Sequence, residues 1–537
     1  MPDQPSAWTL ESNYAALPEA LYERVGAERF PAPRVLVVNA PLAKELGLDP
    51  DALSSPEGAR LLAGEAPIAG SRPVAQAYAG HQYGHFTMLG DGRAVLLGER
   101  RLSSGALVDV ALKGSGRTRF SRRGDGRAAL GPMLREYIVG EAMHALGIPT
   151  SRALAVLATG EAVMRDGPKQ GAILVRVAAS HIRVGTFQFA AALGDEAALR
   201  ALADHAIARH DPDLVDAPAR HAAFLRRVVG RQAHLVAQWQ CVGFVHGVMN
   251  TDNMAVSGET IDFGPCAFLD AYDPDAVFSS IDRHGRYAYA QQPRIAQWNL
   301  ARFAEAMVPL LDDDEATAIA RANWALGAFP ALYRRAWVSG MRAKLGISRL
   351  DAAKATSDAA EPDAEAEGKG KDMQEDEREE KRENEREGEH ECQDGCQDGC
   401  QDECQDEDET LAHSLLDAMH AARADFTRTF RALAERAELP DAPAFAAWRA
   451  RWVARLARDG MTPESARASM LAANPAVIPR NHRVEEALAA AEGPDGLAPL
   501  QALVSAVSRP FDPPPALAHL RDGPPDSWCG YRTFCGT

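Results

Sequence analysis

The chain is poor in several things, and each shortage excludes something. Cysteine is scarce, at 8 in 537 residues, and only Cys241, Cys266, Cys529 and Cys535 lie outside one repetitive tract. That excludes a disulfide-built scaffold. Long apolar runs are missing: no stretch of eighteen uncharged apolar residues occurs, so nothing reads as a membrane span. The first residues, MPDQPSAWTLESNYAALPEA, have neither a basic-then-apolar leader nor an amphipathic Arg-rich pattern. The expectation is a cytoplasmic protein with no membrane partner. Basic excess is also lacking. Residues 351–410 carry 25 Asp and Glu against 7 Lys and Arg, which accounts for the formal charge of −17 and leaves the remainder near neutral, at +1. A near-neutral remainder offers no nucleic-acid footprint.

The acidic tract itself is almost without apolar residues and ends in C-Q-D-G repeats. Such a segment cannot bury enough surface to offset chain entropy, so 351–410 is expected to be a disordered insertion. Cys392, Cys396, Cys400 and Cys404 have metal-like spacing, but repeat expansion explains them as well. The length suggests several units. We expect an N-terminal extension (1–70), a nucleotide-binding lobe (71–190), a second lobe with the chemistry (191–350), the insertion, and a helical region completing that second lobe (411–537).

What is present centres on VHGVMNTDNMAVSGETIDFGP, residues 245–265. It resembles the H-R-D-x-x-x-x-N…D-F-G strip of protein kinases, with Val248 where the catalytic Asp belongs. MAV and ETI are short β-prone runs flanking Ser257-Gly258, which reads as a two-residue hairpin turn. That register pairs Val256 with Glu259, Met254 with Ile261, and Asn253 with Asp262. An amide oxygen and a carboxylate would then share a face, as a hard divalent cation such as Mg²⁺ requires.

Upstream, FTMLGDGRAVLLGE (86–99) reads as strand, turn, strand, with Gly90 and Gly92 free to approach phosphates. VDVALKGSG follows, and its Lys113 resembles a phosphate-binding strand lysine. The next segment, from Pro132 to Gly147, has a helical apolar stripe and offers Glu136 and Glu141 as partners for Lys113; periodicity does not choose between them. An apolar-patterned segment, 218–241, reads as a long buried helix. This order predicts an α+β, two-lobed protein-kinase-like fold with additional terminal helical elements.

Longer motifs make the resemblance narrower. GDGR, LKGSGRTRFSRRGDGRAALGPMLREY, GEAMHALGIPT, RVAASHIRVGTFQ, HGVMNTDN, DFGPCAFLD and NPAVIPRNHRVEEAL are similar to the selenoprotein O family, from about Asn13 onward except in the insertion. That resemblance implies a kinase-like protein adenylyltransferase, binding ATP in an inverted sense and moving AMP to Ser, Thr or Tyr hydroxyls of proteins. It also implies Mg²⁺ or Mn²⁺ and, in relatives, UMP transfer. It assigns Gly90, Gly92, Arg93, Lys113, Asp125, Gly126, Arg176, Arg183 and Asp262 to the nucleotide, with Glu136 as partner of Lys113. Asn253 and Asp262 would hold the metal, and Asp252 would be the proton acceptor that Val248 is not. Without the resemblance, Arg176 and Arg183 read as ordinary surface charges, and Asp125-Gly126 as a turn. It further places Cys535 where eukaryotic relatives carry selenocysteine, with Cys266 as a candidate redox partner. Two rivals stand beside this reading: an ordinary phosphotransferase, which Val248 argues against, and a non-catalytic nucleotide-binding scaffold.

Overall fold

The computed structural model describes residues 8–26, 28–347, 397–435, 439, 443–493, 496–525, 527–528 and 530–533, with backbone only over 397–405. Its architecture is mixed α/β: one large antiparallel sheet, many helices, and two small strand pairs. Among the described residues, no helix is long and apolar enough to cross a membrane.

The strands are β1 (Tyr22–Arg24), β2 (Arg34–Val38), β3 (Val74–Gln76), β4 (Ala79–Gln82), β5 (His85–Met88), β6 (Ala94–Arg101), β7 (Leu107–Lys113), β8 (Ala128–Ala129), β9 (Arg152–Arg165), β10 (Gly167–Ala178), β11 (Phe244–Val245) and β12 (Ala267–Phe268). The large sheet runs β1-β3-β6-β7-β10-β9-β2, with β8 also on β10. The N-terminal segment is therefore more than an extension, because β1 and β2 close both edges of this sheet.

Alternation along β10 decides what each face meets. Ile173, Val175 and Val177 turn to the short helices α1 (Ala40–Glu45), α2 (Pro50–Ser54) and α3 (Pro56–Leu62), while Ala172 and Leu174 turn to α4 (Leu130–Ala145). Arg176 continues the second set. Its partner across the ladder is Ala111, and Leu174 opposes Lys113. Directly opposed residues share a face, so Lys113 and Arg176 both look at α4. Its interior position is consistent with Lys113 being only 7% exposed.

Beyond the sheet, α5 (Val184–Ala192), α6 (Glu196–His210), α7 (Arg220–Val242), α8 (Gln292–Leu311), α9 (Glu315–Gly327) and α10 (Phe329–Leu345) build a second core around Phe187, Phe224, Val228 and Phe303. The helices α11 (Gln397–Ala422), α12 (Phe426–Glu435), α13 (Pro443–Arg458) and α14 (Pro463–Ala473) join α10 in a third cluster. The last two, α15 (Asn481–Glu492) and α16 (Ala498–Val507), do otherwise. Their stripe of Val484, Ala487, Leu500 and Leu503 packs on Leu134 and Ile138 of α4. The C-terminal region thus divides between both parts of the molecule instead of completing one.

Three local expectations need correction. The strand–turn–strand of 86–99 is not a hairpin, because β5 pairs with β4, and β6 with β3 and β7. Leu89 N–H donates to Tyr78 O (2.9 Å) and Asp91 N–H to Gln76 O (2.9 Å), so the chain before Gly90 is already zipped to 76–78. The runs 254–256 and 259–261 do not pair with each other either. Val184 N–H donates to Met254 O and Val256 N–H to Ile182 O, whereas Thr260 N–H donates to Pro149 O. Each arm pairs instead with a segment distant in sequence. Finally, the acidic tract ends earlier than 410. Helix α11 begins at Gln397, and Asp408 is buried in ion pairs with Arg455 (2.7 Å) and Arg342 (3.3 Å). A carboxylate with two guanidinium partners belongs to the folded part, whatever the composition around it. Cys392, Cys396, Cys529 and Cys535 lie outside the described residues.

Candidate active site

The site is built where the sheet face carrying Lys113 meets α4 and the 245–265 strip. Lys113 Nζ is ion-paired with Glu136 of α4 and lies 3.3 Å from Asp262 Oδ1. Arg176 Nη1 is 3.9 Å from the other oxygen of Glu136. This resolves the choice that periodicity left open, since Glu141 turns instead to Arg152 at 2.8 Å. Burial opposes the charge on Asp262, but Lys113, then Arg93 and Arg176, outweigh it and hold the carboxyl well below the usual range. Asp262 also has φ of 67°, in the left-handed region that a non-glycine residue rarely occupies. Such backbone costs about 1–3 kcal/mol and persists where surrounding contacts impose it.

Asp252 sits in a different setting. It lies in the 3₁₀ turn Thr251–Asn253, which is tied down from several directions. Asn250 Oδ1 accepts from Tyr83 N–H (3.1 Å) and Tyr287 O–H (2.7 Å), and Thr251 Oγ1 accepts from His81 N–H (2.7 Å). Two of those donors, His81 and Tyr83, belong to the β4–β5 hairpin, which lies directly over the turn. Gly80 of that hairpin and Gly185 of α5 flank Asp252 so closely that a Cβ at Gly80 would collide with its carboxylate oxygen. The oxygen concerned, Oδ1, is buried without a hydrogen-bond partner. Burial, helped by the nearby Asp262 charge and opposed by Arg183, pushes the carboxyl up to about 6. Val248 is an apolar wall, 8% exposed, whose carbonyl accepts from Asn253 Nδ2 at 3.1 Å. That bond leaves the Asn253 Oδ1 as the outward acceptor.

The glycines act through close approach. Gly90, with φ of 144°, and Gly92 lie against Phe120, where a Cβ on either would meet the ring or backbone of that residue. Thr118 Oγ1 donates to Asp91 O (2.6 Å) and Ser121 Oγ to Gly92 O, so residues 118–121 cover the Gly90–Gly92 turn. Asp91 is buried, accepts from Gln76 N–H (3.0 Å), and stands 3.6 Å from Arg183 Nη1. Arg183 lies over the Tyr78 ring at 4.4 Å, and its Nη1 has no hydrogen-bond partner. Arg93 reaches this array through its charge on Asp262. Asp125 and Gly126 stand further out. Asp125 is ion-paired with Arg165 (2.8 Å), and Gly126 packs on the backbone of Gly116. Cys266 is a buried free thiol pushed up to about 12 by burial, donating to Phe263 O.

Sequence reasoning missed the hairpin and its clients: Gly80, His81, Tyr83, Asn250 and Thr251. A signal existed, in that YAGHQYGHF (78–86) is unusually dense in aromatic, His and Gly residues, with a Tyr-Gly turn (φ 51° and 92°) between alternating positions. The donors available to a metal are oxygens, Asn253 Oδ1 and the Asp262 carboxylate. Among the described residues, no cluster of three His, Cys, Asp or Glu offers an all-protein cage. That donor set suits a hard cation completed by substrate oxygens.

Comparison with known proteins bears on what this array does. A family model described as "Protein adenylyltransferase SelO" matches residues 6–508. The chain is 48% identical over 535 residues to "Protein nucleotidyltransferase YdiU" of Halalkalibacterium halodurans, covering 99% of this chain and 98% of that one. It is 49% identical over 536 residues to the protein of the same name from Geobacillus kaustophilus, covering 99% and 100%. The Methylorubrum extorquens protein of that name is 48% identical over 545 residues.

Proposed function

The chain belongs to the SelO family of protein adenylyltransferases and is a nucleotidyltransferase, and on that premise we propose that it transfers AMP from ATP to Ser, Thr or Tyr hydroxyls of proteins, on a two-lobed kinase-like scaffold. The observation that carries this reading is the contrast within one strip. Asp262 is held ionised among Lys113, Arg93 and Arg176, while Asp252, ten residues earlier, is half-buried, with its Oδ1 covered and unpartnered, and is shifted to about 6. The first has the character of a charge anchor, the second that of a proton acceptor.

The acceptor hydroxyl attacks the α-phosphorus in line. Its oxygen–phosphorus bond forms as the bond from the α-phosphorus to the bridging oxygen of the β-phosphate breaks, and the hydroxyl proton passes to Asp252. Pyrophosphate departs with the electron pair, and its growing charge is met by Arg176 and Arg183, whose forked donors suit phosphate oxygens. Lys113, oriented by Glu136, contacts the nucleotide phosphates beside them. Gly90 and Gly92 let backbone approach the nucleotide, and Asp125 and Gly126 bind its outer portion. Asn253 and Asp262 would hold Mg²⁺ or Mn²⁺, which supplies charge neutralisation at the phosphate oxygens when bound.

Purified protein incubated with Mg²⁺ or Mn²⁺, a generic acceptor protein and ATP labelled at either the α or γ position tests this. Label from α alone, with an added AMP by intact mass, is the expected result; UTP labelled at α in a parallel arm reads UMP transfer. Label from γ alone would replace the reading with a phosphotransferase. Binding of ATP without label from either would leave a scaffold.

A further inference from the structure

Behind the site runs a line of buried polar groups whose ordering is unidirectional. Asp109 of β7, His181 after β10 and Arg176 of β10 are 3%, 2% and 4% exposed. Arg209 of α6 donates to Asp109 Oδ1 at 2.7 Å. The other oxygen, Oδ2, accepts from the backbone N–H of His181 at 2.8 Å and faces His181 Nδ1 at 3.1 Å. At the far side of the ring, Arg176 Nε lies 3.1 Å from His181 Nε2. A guanidinium has donors only. The contact with Arg176 therefore requires a lone pair on Nε2, which puts the ring proton on Nδ1, facing Asp109. Burial favours the same neutral ring.

We infer that His181 is a positioning residue: locked by Asp109 and Arg209, it holds the Nε side of Arg176 and so aims that guanidinium's terminal nitrogens at the phosphates released as pyrophosphate. This rests on the reading of Arg176 as a phosphate contact. The physical need is specific. The other link of Arg176, to Glu136, is 3.9 Å long and Glu136 also serves Lys113, so by itself it leaves the planar fork free to rotate. A second tether at Nε fixes the plane, and bidentate phosphate contact depends on that plane. Sequence alone does not single out a histidine in a run such as AASHIRVG, because its partners lie 72 positions upstream and five positions before it.

The test compares the affinities of ATP and AMP, by calorimetry with Mg²⁺ present, in the full chain. AMP lacks the phosphates at which Arg176 is aimed, so the ratio isolates the tether from general loss of structure. His181→Asn keeps a donor near Asp109 but no longer reaches Arg176; it should weaken ATP on the order of tenfold relative to AMP, the scale of one hydrogen bond to a charged group. His181→Gln, whose amide oxygen reaches the Nε2 position, should restore most of the ratio. If His181→Asn does not fold, His181→Phe, with a ring but no acceptor, should show the same selective loss. Parallel loss of both nucleotides, or an unchanged ratio in folded variants, would overturn the proposal. Arg176→Ala separates the two layers. If it lowers the ratio while His181→Asn does not, the tether alone is wrong; if it leaves the ratio unchanged, the reading of Arg176 is wrong and the tether falls with it.

Discussion

Asp252 and Asp262 belong to the same strip, share an oxygen chemistry and repel each other, yet they live in opposite surroundings. Around Asp262 there is an excess of fixed positive charge, and its backbone is held in a costly left-handed conformation. Around Asp252 there are two glycines, a buried turn and an unpartnered oxygen. Two carboxyls whose environments push them apart can divide labour that neither could do alone. On the proposed reading Val248 is accommodated because Asp252, at the other end of the turn, takes the proton, while position 248 is an apolar wall.

The largest effect that would break this comparison is at Asp262. Asp262→Ala should weaken metal-dependent ATP binding in calorimetry and also reduce transfer of α-label, by at least about 10²–10³-fold. Asp252→Ala should leave ATP binding near wild type while lowering turnover on the order of 10²–10⁴-fold. Equal loss of metal–ATP affinity in both would mean that both are ligands and the base lies elsewhere.

A finer instrument is the glycine beside Asp252. Gly80→Ala adds a methyl group that collides with the carboxylate, and a displacement of roughly 1 Å at a reacting group costs up to about 10²-fold. Turnover should drop with ATP affinity unchanged; loss of ATP affinity instead would show that the hairpin supports the nucleotide. Smaller still is the pH dependence. Asp252 must be ionised to accept a proton, and its carboxyl lies at about 6, so turnover at saturating ATP should fall as pH drops below that value, by about tenfold from pH 7 to pH 5. Asp262, held well below the usual range, contributes no such limb, and the residual activity of Asp252→Ala should lack it.

The control is a change outside the described residues. Replacing residues 351–396 with a short Gly/Ser linker should leave ATP affinity and transfer within a few-fold, because α11 and the buried Asp408 pairs remain. Extending the deletion through Asp408 removes a buried carboxylate that pairs with both Arg342 and Arg455, and should lower the thermal midpoint.

Much of the site was legible because its parts are local. A strand ending in Lys113, a helix carrying a glutamate and a D-F-G after an Asn can each be read from a few neighbouring residues, since side-chain period and turn chemistry act over short distances. Pairing was not legible. The runs 254–256 and 259–261 had a turn between them and every local reason to form a hairpin, yet 182–184 and 149–151 compete for the same backbone groups from 70 and 110 positions away. The choice of Glu136 over Glu141 has the same origin, as one turn of helix decides which glutamate faces Lys113 and which meets Arg152. The amino-acid sequence by itself determined the inventory of charged groups and the elements that carry them. Only the tertiary structure decided that Asp252 would be pressed between Gly80 and Gly185, and that Arg176 would be held by a histidine. Proximity, burial and the electrostatic field are sums over the whole packed molecule, and no short window of sequence contains them.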